Sequence, residues 1–118
     1  MKALKKILLI EDNKVALDML NYSAYLLKHD VYSSIGEMDY DEIKMLLPDL
    51  VIIDYWLNVW GGDICSKIKS NPATNSTPVI MLSSCQEIKK ISKENCANAY
   101  LTLPLNAFDL DNAINRFV

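Results

Sequence analysis

Five short apolar runs alternate along this chain with longer segments whose apolar residues are spaced as in helices. The runs cover residues 7–10, 31–35, 50–53, 79–82 and 99–103. The third run is continuous and rich in β-branched side chains, a pattern typical of a strand buried on both faces of a parallel sheet. The five runs therefore predict five strands.

The segments between the runs repeat apolar residues at three- and four-residue intervals, which predicts helices. The first helix is expected to bury a stripe made of Val15, Met19, Tyr22 and Leu26. Three shorter stripes predict further helices; they contain Ile43, Leu46 and Leu47, then Ile64 and Ile68, and then Ile88 and Ile91. In the last segment, Asn106 followed by Asp109 is a helix start signal.

The order of elements is a strand followed by a helix, repeated five times. Such alternation is typical of an α/β fold in which helices cover both faces of a parallel sheet, with right-handed crossovers. In these doubly wound sheets, binding sites form beyond the carboxyl ends of the strands. With 118 residues, the chain is expected to be a single domain over residues 1–118.

The composition narrows the classes of function. The chain is 51% hydrophobic and has 12 basic and 15 acidic residues, a net charge of −3 that provides no basic field for nucleic acid. No apolar run approaches the roughly 20 residues that span a membrane. Three cysteines without CxxC spacing are expected to be reduced thiols, so the sequence indicates a cytoplasmic protein that binds neither nucleic acid nor membrane.

Polar residues follow three of the predicted strands at the point where each strand ends. Glu11 and Asp12 follow the first strand, Asp54 follows the third, and Ser83 follows the fourth. If the first and third strands are neighbours, the three acids converge on one edge of the sheet. Their mutual repulsion raises their pKa values unless a cation neutralises them, and a set of oxygen ligands favours Mg²⁺. Asp54 could then attack a phosphoryl group, with Ser83 donating a hydrogen bond to it.

The stretches "ILLIEDN", "PDLVIIDYWL", "TPVIMLSS" and "AYLTLP" resemble successive blocks of the receiver domain of bacterial two-component response regulators, over essentially the whole chain. The resemblance implies a flavodoxin-like sheet of order 2-1-3-4-5 flanked by five helices. It also implies a role for each matching residue. Asp54 would be the phosphoryl acceptor, Ser83 the switch hydroxyl and Tyr100 the aromatic switch, and Mg²⁺ would be held by Glu11, Asp12, Asp54 and the Trp56 main-chain carbonyl.

The same resemblance implies partners. The phosphodonor would be a histidine kinase or a histidine phosphotransfer protein. The signal would pass to a downstream protein through the face formed by the fourth helix, fifth strand and fifth helix. A homodimer is a further candidate assembly. No output domain fits after Val118, so we expect a stand-alone receiver that is a signalling protein and not an enzyme.

One position departs from the family pattern. The fifth strand of receivers normally ends in a lysine before proline, whereas this chain has Leu103. That lysine makes a charge-assisted contact worth about 1.5–3 kcal/mol, which leucine lacks. Two outcomes are open: phosphorylation persists with slower chemistry and weaker coupling, or the domain is a pseudo-receiver that docks partners without phosphorylation. Lys14, early in the first helix, is a candidate to replace the missing charge.

Simpler interpretations also stand for the individual residues. Glu11 and Asp12 would form an acidic turn with Asp12 capping the first helix, Ser83 would be a buried serine bonded to main chain, and Tyr100 would be a core or rim aromatic.

Two other functions are disfavoured by the sequence. An aspartyl phosphohydrolase needs a second acid two residues after its nucleophile, but position 56, two residues after Asp54, is tryptophan. A nucleotide-binding domain lacks its glycine-rich loop here.

Overall fold

Strands and helices alternate through the chain as the hydrophobic pattern predicts. The structure, a computed structural model, describes residues 5–36, 38–55 and 60–118, with the helical backbone alone for residues 60 and 61. The strands are β1 (Lys6–Ile10), β2 (Asp30–Ser34), β3 (Leu50–Asp54), β4 (Val79–Ser83) and β5 (Ala99–Thr102). The helices are α1 (Lys14–Leu26), α2 (Tyr40–Leu46), α3 (Trp60–Ser70), α4 (Ile88–Glu94) and α5 (Ala107–Phe117).

The strands form one parallel sheet in the order β2-β1-β3-β4-β5, which confirms the predicted fold class and strand order. Ile10 of β1 is paired with Ile53 of β3, and Asp54 is paired with Leu82 of β4. The carboxyl ends of β1, β3 and β4 therefore meet at one edge of the sheet, where the predicted site residues lie.

The core has two layers, because alternate residues of each strand point to opposite faces of the sheet. On one face, Leu8 and Val51 pack with Ile43 of α2, Ile68 of α3 and Ile88 of α4. All residues of β3 and β4 are buried, which explains their continuous apolar runs.

The other face of the sheet packs against two helices. There Leu9 and Ile52 pack with Leu20 of α1 and with Leu110 and Ile114 of α5. Helices therefore cover both sides of the sheet, as the doubly wound class requires. Within the described ranges, no helix has the length and apolar character needed to cross a membrane.

The predicted stripe of α1 is wrong, although the helix itself is confirmed. Val15, Tyr22 and Leu26 are 71%, 63% and 56% exposed. The buried apolar residues are instead Leu17, Leu20 and Ala24. Apolar residues occur at helical spacing on both sides of α1, so the face in the core is decided by the fit against β1 and α5.

The starts of α1 and α5 are capped by asparagines. Asn13 accepts a hydrogen bond from the Ala16 N–H at 3.0 Å, so Asn13 and not Asp12 caps α1. Asn106 accepts hydrogen bonds from the N–H groups of Phe108 and Asp109, which confirms the predicted start of α5. Asp12 is therefore left outside the cap.

Candidate functional site

Three carboxylates meet at the carboxyl edge of the sheet. Because Ile10 and Ile53 are paired, the residues that follow them, Glu11 and Asp54, emerge side by side. One carboxylate oxygen of Glu11, one of Asp12 and one of Asp54 all lie within 4.8 Å of one another. Glu11 and Asp54 are 0% and 4% exposed, whereas Asp12 faces solvent. The predicted convergence of these acids is present in the structure.

Glu11 is fixed by the backbone around it. Its main-chain N–H donates to the Ser34 carbonyl at 3.2 Å, and its Oε1 accepts from the Asn13 N–H at 3.0 Å. Its other carboxylate oxygen, Oε2, is buried and has no hydrogen-bond partner within the described part of the chain. Asn13 therefore both caps α1 and orients Glu11, a role that the sequence analysis missed although its asparagine-before-helix signal was visible.

Burial raises the pKa of Glu11 to about 8, and the neighbouring carboxyl of Asp54 adds to the rise. The hydrogen bond from the Asn13 N–H acts in the opposite direction, because it favours the ionised form. Without a cation at the site, burial and the neighbouring carboxyl of Asp54 therefore favour the protonated form of Glu11 at neutral pH.

The donor set fits a hard divalent cation. Three carboxylates offer oxygen ligands only, which suits Mg²⁺ better than a softer metal. The buried Oε2 of Glu11 would gain a partner in such an ion, and the repulsion that raises its pKa would be removed. Trp56, whose main-chain carbonyl is the fourth predicted ligand, lies outside the described residues.

Ser83 lies at the same edge, as the last residue of β4. Asp54 is paired with Leu82, so Ser83 is the next residue along the neighbouring strand. The Ser83 side chain is fully buried, and its Oγ accepts a hydrogen bond from the Cys85 N–H at 2.9 Å. The hydroxyl is thereby held within its own loop next to the strand that carries Asp54.

Tyr100 lies away from the acids. It is paired with Met81 in the register between β4 and β5, and its side chain is 39% exposed. Tyr100 lines one surface cavity with Asp109 and another with Lys93. The structure therefore places Tyr100 on the surface of the β5 edge.

Leu103 directly follows β5, and its N–H donates to the Ser83 carbonyl at 3.0 Å. Its side chain lines a shallow and largely apolar cavity of about 330 Å³ together with Met19, Ser84 and Leu105. The position next to Ser83 where the receiver resemblance implies an ammonium is thus apolar here. Lys14, the suggested replacement, is exposed near the start of α1.

No protein-family model matches the chain. The curated proteins that are similar to it in sequence include the following two. The DNA-binding dual master transcriptional regulator RpaA of Synechocystis is 28% identical over 115 residues, which are 94% of this chain and 46% of RpaA. Protein PilG of Pseudomonas aeruginosa is 30% identical over 117 residues, which are 96% of this chain and 87% of PilG.

A solved structure is also similar to this chain. The signal receiver domain of a DNA-binding response regulator from Colwellia psychrerythraea superposes with a TM-score of 0.84 at 28% identity, covering 95% of this chain and 96% of that one. The chain spans less than half the length of RpaA but most of PilG. The similarity therefore concerns the part of each relative that this chain matches.

Proposed function

This chain belongs to the receiver-domain family of response regulators, and we propose that residues 1–118 act as one receiver domain that accepts a phosphoryl group on Asp54. The observation that supports this most is the meeting of Glu11, Asp12 and Asp54 at one edge of the sheet, with an oxygen from each within 4.8 Å of the others. A cation site beside a carboxylate on a buried strand is what phosphoryl acceptance requires.

In the proposed reaction, a carboxylate oxygen of Asp54 attacks the phosphorus of a phosphohistidine. The new bond joins that oxygen to phosphorus, the bond between phosphorus and the imidazole nitrogen breaks, and the imidazole leaves with its electron pair. The donor would be a histidine kinase or a histidine phosphotransfer protein in the cytoplasm. Asp54 lies at the end of a fully buried strand, which holds the attacking group in place.

Glu11, Asp12 and Asp54 would hold Mg²⁺. When bound, this ion supplies positive charge that offsets the carboxylates and the phosphoryl oxygens. Since burial raises the pKa of Glu11 to about 8, Glu11 must give up its proton before it can serve as an ionised ligand at neutral pH. Ion binding and proton release are therefore coupled at this residue.

Ser83 is the proposed hydrogen-bond donor to the bound phosphoryl group. Its Oγ already accepts from the Cys85 N–H, so the hydrogen of its own hydroxyl remains available for a phosphoryl oxygen. Ser83 would thus report the presence of the phosphoryl group to the loop after β4. Tyr100 and the face of α4, β5 and α5 would pass that change to a downstream protein.

A second function is favoured by one observation. Leu103 lines an apolar cavity at the position where receivers usually carry the lysine that contacts the phosphoryl group. A receiver without this ammonium could dock its partner independently of phosphorylation. The two functions differ in one respect: only in the first does phosphorylation of Asp54 change the binding of the partner.

The experiment that tests the first function is phosphorylation by acetyl phosphate with Mg²⁺, followed by mass spectrometry of the intact protein. We expect a gain of about 80 Da on the natural chain, the mass of one phosphoryl group, and none on Asp54→Asn. Asp18→Asn, which removes an exposed carboxylate of α1, is the matched control and should keep the gain. A natural chain that never gains this mass would rule out the proposal.

A further inference from the structure

The side of α1 that faces away from the sheet is apolar. Val15, Tyr22 and Leu26 are each more than half exposed, and Met19 is half-buried among them. We call these four residues the outer stripe of α1. Exposed apolar patches on a protein commonly mark an interface, because contact with water leaves their burial energy unused. The outer stripe is therefore a candidate interface on the opposite side of α1 from the core.

The outer stripe has the spacing with which two helices pack together. Its residues follow one another at intervals of four, three and four positions. In coiled coils, apolar residues at this spacing form the seam and fit between those of a facing helix. The stripe is also symmetric about its midpoint, which lies between Met19 and Tyr22. When two copies face each other in opposite directions, Val15 of one lies opposite Leu26 of the other, as a twofold axis requires.

The two ends of the outer stripe differ in shape in a way that fits this pairing. At the amino-terminal end, Val15 and Met19 line the largely apolar cavity of about 330 Å³ that also contains Leu103 and Leu105. At the carboxyl-terminal end, Leu26 is an exposed apolar side chain. In an antiparallel pair, Leu26 of one copy lies over the cavity of the other, and the same contact forms twice. An apolar side chain in an apolar cavity is typical of the centre of a protein interface.

We infer that α1 binds α1 of a second copy of this chain in an antiparallel, twofold-symmetric pair. A second copy is the best match to this surface, because it supplies both a stripe of the same spacing and ends of complementary shape. One helix face is a small contact, at the low end of the roughly 1,200–2,000 Å² that specific interfaces bury. The dimer should therefore be weak and reversible, with a dissociation constant on the order of 10–100 µM.

The same pairing brings a cation towards the acids of the candidate site. Asp12 precedes the outer stripe and Lys28 follows it, at nearly the same number of residues from the midpoint. Both side chains are exposed, and Lys28 lines a cavity with Tyr25 and Leu26 at the end of the stripe. At about 1.5 Å per residue, Lys28 of one copy lies within about 2 Å of Asp12 of the other along the helix axis.

The second copy thereby supplies an ammonium near the site where Leu103 lacks one. This step rests on the proposed function, because the ammonium acts there by attracting the phosphoryl group that Asp54 accepts. The pairing of the two α1 helices does not depend on phosphorylation. The two steps are therefore tested separately.

Sedimentation velocity over a range of protein concentrations, from low micromolar to millimolar, tests the pairing. We expect the natural chain to change from monomer to dimer over this range. Tyr22→Glu places a charge at the centre of the outer stripe and should raise the dissociation constant at least about tenfold. Met45→Glu makes the same kind of change at an exposed apolar residue of α2 and should leave the dissociation constant unchanged. Asp54→Asn should also dimerise like the natural chain.

Two outcomes of this experiment would overturn the inference. One is a natural chain that stays monomeric up to millimolar concentration, since the outer stripe would then not bind a second copy. The other is a dimer that Tyr22→Glu leaves intact, since a different surface would then hold the two copies together.

Mixing two variants tests the role of Lys28. At concentrations where the chain is dimeric, Lys28→Gln should slow phosphorylation by acetyl phosphate about two- to fivefold, the range for one exposed charged contact. An excess of Asp54→Asn, which accepts no phosphoryl group but keeps Lys28, should restore the rate, because each mixed dimer then offers Lys28 to an intact Asp54. The double variant with both Asp54→Asn and Lys28→Gln is the control and should not restore it.

A rate that Asp54→Asn fails to restore, in a mixture shown by sedimentation to be dimeric, would overturn the contribution of Lys28 from the second copy. Equal slowing by Lys14→Gln, an exposed lysine at the start of the same helix, would overturn it as well, since the charge of the helix as a whole would be responsible. A natural chain that dimerises but never gains the mass of a phosphoryl group would contradict the proposed function and leave the pairing of α1 in place.

Discussion

Two regions of the carboxyl edge of the sheet differ in how closely they follow the receiver pattern. One is the acid end, formed by the carboxyl ends of β1, β3 and β4, and the other is the carboxyl end of β5. On the central strands β1, β3 and β4, the acids and Ser83 are present, and Glu11, Asp54 and Ser83 are almost completely buried. On the edge strand β5, Tyr100 is 39% exposed, and apolar Leu103 follows the strand. The groups proposed to hold the phosphoryl group thus lie at the ends of strands that are paired on both sides.

The difference has a structural reason. Strands β1 and β3 each pair with two neighbours, whereas β5 pairs with β4 alone. A residue on a central strand is fixed by pairing on both sides and by helices on both faces, while the end of an edge strand can change with less effect on the core. We therefore propose that phosphoryl acceptance at Asp54 and its coupling to a partner are separable in this chain.

The pH dependence of stability should show the largest effect at the acid end. Burial raises the pKa of Glu11 from 4.5 to about 8, so below pH 4.5 both the folded and the unfolded chain hold this proton. As the pH rises towards 8, the unfolded chain releases the proton first, and the contribution of Glu11 to the free energy of unfolding falls. The loss should be on the order of a few kcal/mol in EDTA, measured by urea unfolding.

The control is Glu11→Gln, which cannot titrate, so the natural chain should lose stability relative to this variant as the pH rises. Saturating Mg²⁺ should remove the decline, because the ion favours the ionised carboxylate. The free energies of unfolding of the two proteins could instead differ by a constant amount over this pH range. Glu11 would then be ionised throughout, and repulsion among the acids would not destabilise the fold.

Restoring a lysine at position 103 should have the next largest effect, and it acts on the rate of phosphorylation. Restoring the ammonium with Leu103→Lys should speed phosphorylation of Asp54 by acetyl phosphate about 10- to 100-fold, the range expected for a charge-assisted contact of about 1.5–3 kcal/mol. Leu103 is half-buried, so a lysine stem can lie along the same apolar cavity with its charge outside it. The rate is followed by the mass of the intact protein.

Leu103→Met is the matched control, since it keeps an apolar side chain of similar volume and should leave the rate unchanged. An unchanged rate in Leu103→Lys as well would show that this end of the sheet no longer takes part in the chemistry. That result would favour the phosphorylation-independent function.

Mg²⁺ binding gives a smaller effect, again at the acid end. At about ten times its dissociation constant, the ion should stabilise the natural chain by about 1.4 kcal/mol, measured from urea midpoints with and without Mg²⁺. Asp12→Asn should lose this gain, because Asp12 contributes one of the three clustered oxygens. Asp18→Asn, also exposed but outside the cluster, should keep it; an equal loss in both variants would argue against a site at these acids.

The sequence predicted the strands well because their apolar runs are bounded by polar residues. The run at 50–53 and the strand Leu50–Asp54 differ by one residue, and the convergence of the acids follows from parallel pairing. The sequence did not predict which face of α1 is buried. Leu20 and Tyr22 each belong to a set of apolar residues at helical spacing, so the sequence does not distinguish the two faces. In the structure Leu20 is buried in the cluster that contains Leu110 of α5, whereas Tyr22 is exposed.

The sequence also did not predict how far the pKa of Glu11 is raised. Repulsion among the acids was expected, but burial is the largest cause of the raised pKa, and burial depends on how the chain covers this residue. The Asn13 N–H that holds Oε1 is similarly a product of the folded loop. The roles of all the site residues stay predictions: Glu11, Asp12, Asp54, Trp56, Ser83 and Tyr100.

The smallest effect is expected at Tyr100, and it tests the division between the two regions directly. Because its ring is 39% exposed, Tyr100→Ala should lower the free energy of unfolding by less than about 1 kcal/mol. Phosphorylation of Asp54 should stay within about twofold of the natural rate, since Tyr100 lies outside the acid cluster. What should disappear is any change in the amide hydrogen exchange of α4, β5 and α5 when beryllofluoride and Mg²⁺ are added. Phe108→Ala removes an exposed aromatic ring from α5 and should leave that change intact. If Tyr100→Ala instead slowed phosphorylation strongly, the edge strand would be part of the acceptor chemistry, and the two regions would act as one.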